Sequence, residues 1–153
     1  MNVEHFPAET HRGATMGRRT CKLEVSNDKP RYKESTDAYV FFLENWDKTD
    51  MQEKQQARVL LLDESERIKG FVILGSKNIT PVHLENLRKC FLRANASSII
   101  LAQNEAGRNI VPSDDEENIY KHIKKLAQDM LMPVRDAIRM NRREFFSYSE
   151  NGM

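Results

Sequence analysis

The sequence predicts a three-layer α/β/α fold built on a mixed β-sheet, and three observations carry that expectation. Val59-Leu60-Leu61-Leu62 is a continuous apolar run of strand length, the pattern of a central strand covered on both faces. Two stretches, His83 to Asn95 and the one opening at Ser113, space their apolar residues at helical intervals. Between them, Ser97 to Glu117 (SSIILAQNEAGRNIVPSDDEE) runs from an apolar segment through a polar loop to a helix start. Such strand-loop-helix units are where open α/β sheets gather their ligands.

Taken in order, Met1 to Thr20 lacks periodicity and is rich in Thr, Gly, Arg and His, so residues 1–20 read as a flexible tail and 21–153 as one domain. His5 and His11 lie in that tail, where a solvated role outweighs a metal one. Lys22 to Val25 alternates apolar and charged residues and stops near Pro30, an edge-strand pattern. Ser35 suits an N-cap for a helix through Trp46, with Ala38, Phe42 and Trp46 on one stripe and Trp46 as a core anchor. Lys48 to Ala57 is polar and carries no strand or helix signal of its own. After the run at Val59, the charged turn Asp63–Arg67 leads into Ile68–Leu74, which completes a hairpin.

The helix from His83 keeps Leu84, Leu87, Phe91 and Ala94 on one face and returns the chain to the strand Ser98–Ala102. Cys90 on it reads as a small buried residue, since two distant cysteines suggest neither a disulfide framework nor a zinc site. Ser113 and Glu116 make a capping box, and Ile119, Ile123, Leu126, Ala127 and Met130 line one side of the long helix that follows. His83 and His122 read as surface or capping residues. Past Pro133, Val134, Asp136, Ile138 and Met140 alternate with Arg135 and Arg139, a half-buried strand with an arginine-bearing outer face, and Phe145 to Ser149 adds a last strand.

Lys plus Arg (24) nearly cancel Asp plus Glu (23), so no global field draws the chain to nucleic acid or membrane. No apolar run approaches the roughly 18 residues of a membrane span, and the N-terminus lacks a signal-peptide core, which predicts a cytoplasmic protein.

Gln103-Asn104-Glu105, with Ser113 and Glu116 beyond, resembles the metal motif of RadC-like proteins, a bacterial branch of the JAB/MPN metallopeptidases. That motif is His-x-His-Pro, then a Ser seven residues after the second His, then an Asp three positions on. Here Gln103 and Glu105 stand at the histidine positions, Ala106 at the Pro and Glu116 at the Asp, and only Ser113 is unchanged. The family's catalytic Glu aligns with Ser76, its Asp-His pair with Asp136-Ala137, and its Ser-x-x-x-x-Gly ending with Ser147–Gly152. The likeness runs from about Ser35 to the C-terminus.

The resemblance implies a JAB/MPN, cytidine-deaminase-like domain whose zinc site is degenerate. Active members use zinc; in this chain no cofactor is expected. A neutral amide and hard carboxylates replace imidazoles, and the general base is lost as well. Gln103, Glu105 and Glu116 form, alternatively, an all-oxygen magnesium or calcium site. The simpler reading has Ser113 and Glu116 capping the helix while Gln103 and Glu105 face solvent; in an inactive partner-binding domain, Gln103→Ala and Glu105→Ala then leave stability and partner binding nearly unchanged. Ser113 is then a vestige of catalysis.

Three functions follow. The first is an inactive domain that binds an unidentified protein or peptide partner, with a family-level link to DNA repair and mobile elements. The second is a surviving metal-dependent peptidase or isopeptidase. The third is nucleic-acid binding through Arg135, Arg139, Arg142 and Arg143, extended by Lys121, Lys124 and Lys125.

Overall fold

The computed structural model describes residues 30–74, 79–105 and 109–153 in full and the backbone of 3–5 and 20–24. Seven strands form one sheet: β1 (Val3–His5), β2 (Thr20–Glu24), β3 (Ala57–Leu62), β4 (Ile68–Leu74), β5 (Ser98–Asn104), β6 (Val134–Met140) and β7 (Phe145–Ser147). Their spatial order is β1-β2-β4-β3-β5-β6-β7. Only β5 and β6 run parallel, which makes the sheet mixed. β1 lies inside the stretch that reads as a tail, and its pairing with β2 takes the edge position that the sequence assigned to β2. Residues 6–19 lie outside the described residues.

Every residue of β3 is buried, as a run without alternation requires of a strand with helices on both sides. One face packs Val59, Leu61, Ile99, Leu101 and Ala137 under α3 (Pro81–Arg93) and α4 (Asp114–Asp129). The other packs Leu60, Leu62, Ile100, Ile138 and Met140 under α1 (Ser35–Asn45) and Met51 of α2 (Lys48–Glu53). Helices therefore cover both faces. Among the described residues no helix is long and apolar enough to cross a membrane.

The short helix α2 has no counterpart in the sequence pattern. Its apolar content is a single buried methionine, and it is held instead by the Asp47 side chain, which accepts the Asp50 N–H at 3.0 Å. Its C-terminal carbonyls meet Asn104, which is fully buried at the end of β5. The Asn104 amide donates to the Met51 and Lys54 carbonyls, and its oxygen accepts the Gln56 N–H at 2.7 Å. α1 starts one residue earlier than its sequence suggests, with Glu34 as N-cap and its N–H donated to Asp37 Oδ2 at 2.9 Å.

Trp46 is a core anchor, 3% exposed, but it also carries a buried cation. The Arg58 guanidinium lies 4.3 Å from its ring centre and donates to the Asn45 carbonyl at 3.0 Å. Burial pulls the Arg58 pKa down to about 10, against the pull of Asp50 and Asp47, so it stays charged at neutral pH. Cys90 is buried as expected; contrary to the sequence reading it is disulfide-bonded and not a free thiol.

Candidate functional site

The site forms where β5 ends and α4 begins, beside the parallel strand β6. Pairing sets Gln103 directly across from Arg139. Both side chains share the face covered by α4, because Leu101 and Ala137, two residues earlier on each strand, pack there. Arg139 is 2% exposed, and each part of its guanidinium has a partner. Nε donates to the Ile110 carbonyl at 2.8 Å, Nη1 to Glu116 Oε2 at 2.8 Å, and Nη2 lies 3.2 Å from Glu105 Oε1. Glu105 is itself 2% exposed, and its backbone N–H donates to the Met140 carbonyl at 2.7 Å. One cation thus ties β6 to the end of β5, to the loop that follows, and to the first turn of α4.

This arrangement corrects two sequence expectations. Glu105 does not face solvent, and Arg139 does not belong to an arginine-bearing outer face. The cause of the second is a β-bulge. Ile99 pairs with Val134 but Ile100 pairs with Asp136, so Arg135 is an extra residue and the alternation shifts across it. Arg135 pairs with Glu66 and lies 5.6 Å from the Tyr32 ring centre, on the α1 side, whereas Arg139 points under α4. Arg142 and Arg143 are exposed in the turn between β6 and β7. The four arginines do not form one surface.

The capping box is present as read: Ser113 Oγ accepts the Glu116 N–H at 3.2 Å and the Ser113 N–H donates to Glu116 Oε1 at 3.0 Å. Burial pushes the Glu116 carboxyl up. The Ser113 N–H, the hydrogen bond and charge of Arg139, and the Ser113 hydroxyl outweigh it and hold the pKa down to about 2. A carboxyl depressed in the folded state contributes stability that is complete above its ordinary value near 4.5 and lost as pH falls toward 2. Acid titration of stability should therefore show a decline across that window, and Glu116→Gln should flatten it. An unchanged profile in Glu116→Gln would mean that the carboxylate is not coupled to folding.

Next to Arg139, Tyr148 stacks on Tyr120 with ring centres 4.2 Å apart. Burial raises the Tyr120 phenol to about 12 and raises Tyr148 too, although the Arg139 charge pulls Tyr148 the other way. These rings, with Ile79, Gln103, Glu116 and Ile119, line a pocket of about 80 Å³. On the opposite side of β6, Asp136 is buried and accepts from the Ala137 and Ser149 N–H groups and from the Ser147 hydroxyl, which fastens the C-terminal segment. Among the described residues no three His, Cys, Asp or Glu side chains converge to hold a metal ion. His83 caps α3, its Nδ1 accepting the Thr80 N–H at 3.1 Å, and His122 is exposed. Ser76, aligned with the family's catalytic Glu, lies outside the described residues, as do the side chains of His5 and His11.

The family profile of the RadC-like JAB domain matches residues 32–153. The chain belongs to the RadC-like JAB domain family. Among curated relatives, this RadC-like chain is 28% identical over 103 residues to the UPF0758 protein YkfG of Escherichia coli, a match covering 66% of this chain and 65% of that one. A UPF0758 protein of Haemophilus influenzae is 30% identical over 102 residues, covering 65% of this chain and 46% of the relative. A UPF0758 protein of Thermotoga maritima is 24% identical with the same coverage. The RadC-like domain here thus spans between about half and two-thirds of the relatives it matches. Within it, the residues that sequence reasoning missed are Arg139 as the centre of the site and Tyr120 and Tyr148 as pocket walls. Their signal was present only as an unusual arginine in a strand with apolar neighbours.

Proposed function

We propose that this RadC-like domain holds an internal guanidinium where active relatives hold zinc, performs no hydrolysis, and acts by binding a protein or peptide partner. The supporting observation is the placement of Arg139 between Glu105 and Glu116, two of the three positions that align with the family's metal ligands. Catalytic zinc takes three His, Cys or carboxylate donors and leaves one position for water. Here one donor is a neutral amide and the two carboxylates already neutralise a buried cation. A second cation would have to displace a guanidinium held by three elements, and the same argument disfavours magnesium or calcium at these oxygens. The residues present do not fit the metal.

Nucleic-acid binding draws less support, because Arg139 is buried and Arg135 lies on the other face from it. Hydrolysis assays on linear and isopeptide-linked peptides, with and without added zinc, test the reading. It expects no turnover above buffer under either condition; zinc-dependent, chelator-sensitive cleavage would overturn it.

A further inference from the structure

Cys90 is buried on α3 at 1% exposure, and its sulfur is held in a disulfide. The chain has one other cysteine, Cys21, which lies in β2. Strand pairing sets Cys21 directly across from Val72 of β4. Residues opposed across a strand pair belong to the same face of the sheet, and Val72 belongs to the core cluster that contains Cys90. The helix that carries Cys90 also lies against β4. Two cysteines far apart in sequence are thus brought to one side of one strand.

What a bond between them would join decides its use. The RadC-like domain match covers residues 32–153, which includes Cys90 and leaves out Cys21. β2 meets that domain by pairing Thr20 to Leu23 with Ile73 to Gly70 of β4, and on its other side it carries the three-residue strand β1. Without β2, the backbone groups of β4 that pair with it would become a sheet edge.

We propose that Cys21 and Cys90 form one disulfide, and that this bond is a reducible clasp holding the N-terminal strand pair on β4. A dithiol reductant opens it in two steps. One thiolate attacks the Cys21 sulfur, because Cys90 is sheltered in the core; the S–S bond breaks, and Cys90 leaves with the electron pair and takes a proton. The second thiol of the reductant then attacks the mixed disulfide and releases Cys21 as a thiol. The reductant ends as a disulfide, and two electrons have passed to the protein. The N-terminal strands, left with a short ladder, separate by local opening and uncover the β4 edge. This clasp is independent of the inactive-site reading.

The test uses the full chain, incubated with glutathione disulfide and then freed of it. Thiol titration in guanidinium should find no thiol before treatment with dithiothreitol and two per chain after it, and non-reducing peptide mapping should find a Cys21–Cys90 cross-link within one chain. On the folded protein, reduction should speed amide hydrogen exchange by about tenfold or more in β2 and in the β4 amides paired with it, while β3, β5 and β6 keep their protection. Cys21→Ser should show the fast exchange without reductant and no further change with it. Two free thiols after oxidation, a cross-link between chains, or exchange in β2 and β4 that ignores reduction would overturn the proposal. So would an equal rise across β3, β5 and β6, the mark of a bond that staples the whole domain.

Discussion

Arg139→Met should destabilise the fold by about 3–5 kcal/mol, the range for breaking one side of a buried ion pair. In a domain of this size that lowers the melting temperature by roughly 10 °C. The reason is the environment left behind. Glu105 is 2% exposed and would keep a carboxylate in the core without its guanidinium, while the Ile110 carbonyl would lose its donor. Because buried ion pairs exchanged whole for uncharged groups are often neutral, Arg139→Met combined with Glu105→Gln should recover most of the loss. Arg142→Ala and Arg143→Ala, at exposed turn positions, should stay within about 0.5 kcal/mol of wild type. If Arg139→Met behaved like those two in thermal and urea unfolding, the triad would not be holding the loop. The same reasoning reverses the expectation for Glu105→Ala, which should be costly because it strands Arg139.

Asn104→Ala should cost about 3 kcal/mol, a comparable loss with a different origin. Asn104 stands between Gln103 and Glu105, yet its side chain points to the opposite face, where it satisfies two carbonyls at the end of α2 and the N–H of Gln56. Truncation would leave three backbone groups around a fully buried position without their partner. In urea, the midpoint should fall with an unchanged slope, as for a loss of stability without a change in the surface exposed on unfolding. A midpoint within experimental error of wild type would mean that water replaces the amide at no cost.

What could be read from the residues alone divides along physical lines. The β3 run, the β3–β4 hairpin, and the helices α3 and α4 were legible because burial on one or both faces imposes a period that local sequence displays. The Ser113–Glu116 box was legible because capping is local. The six-residue helix α2 was not, since one buried Met51 gives no period and its ends depend on Asp47 and on Asn104 from across the sheet.

The site failed at one residue. Counting alternate positions from Val134 places Arg135 and Arg139 together, and a bulge at Arg135 separates them. Bulges depend on pairing with a neighbouring strand, which periodicity within one strand does not report. With Arg139 read as surface, the sequence pattern offers no buried partner for Glu105 and places both side chains in solvent. Glu105 and Glu116, both singled out in the sequence, meet around Arg139, which comes from a strand distant from either in sequence.

The most direct test of the internal guanidinium is the zinc content of the purified full chain by elemental analysis, after incubation with excess zinc and its removal by gel filtration. With Arg139 between Glu105 and Glu116, and Gln103 as the third donor, the account predicts less than about a tenth of an equivalent. About one equivalent, retained through gel filtration, would contradict it.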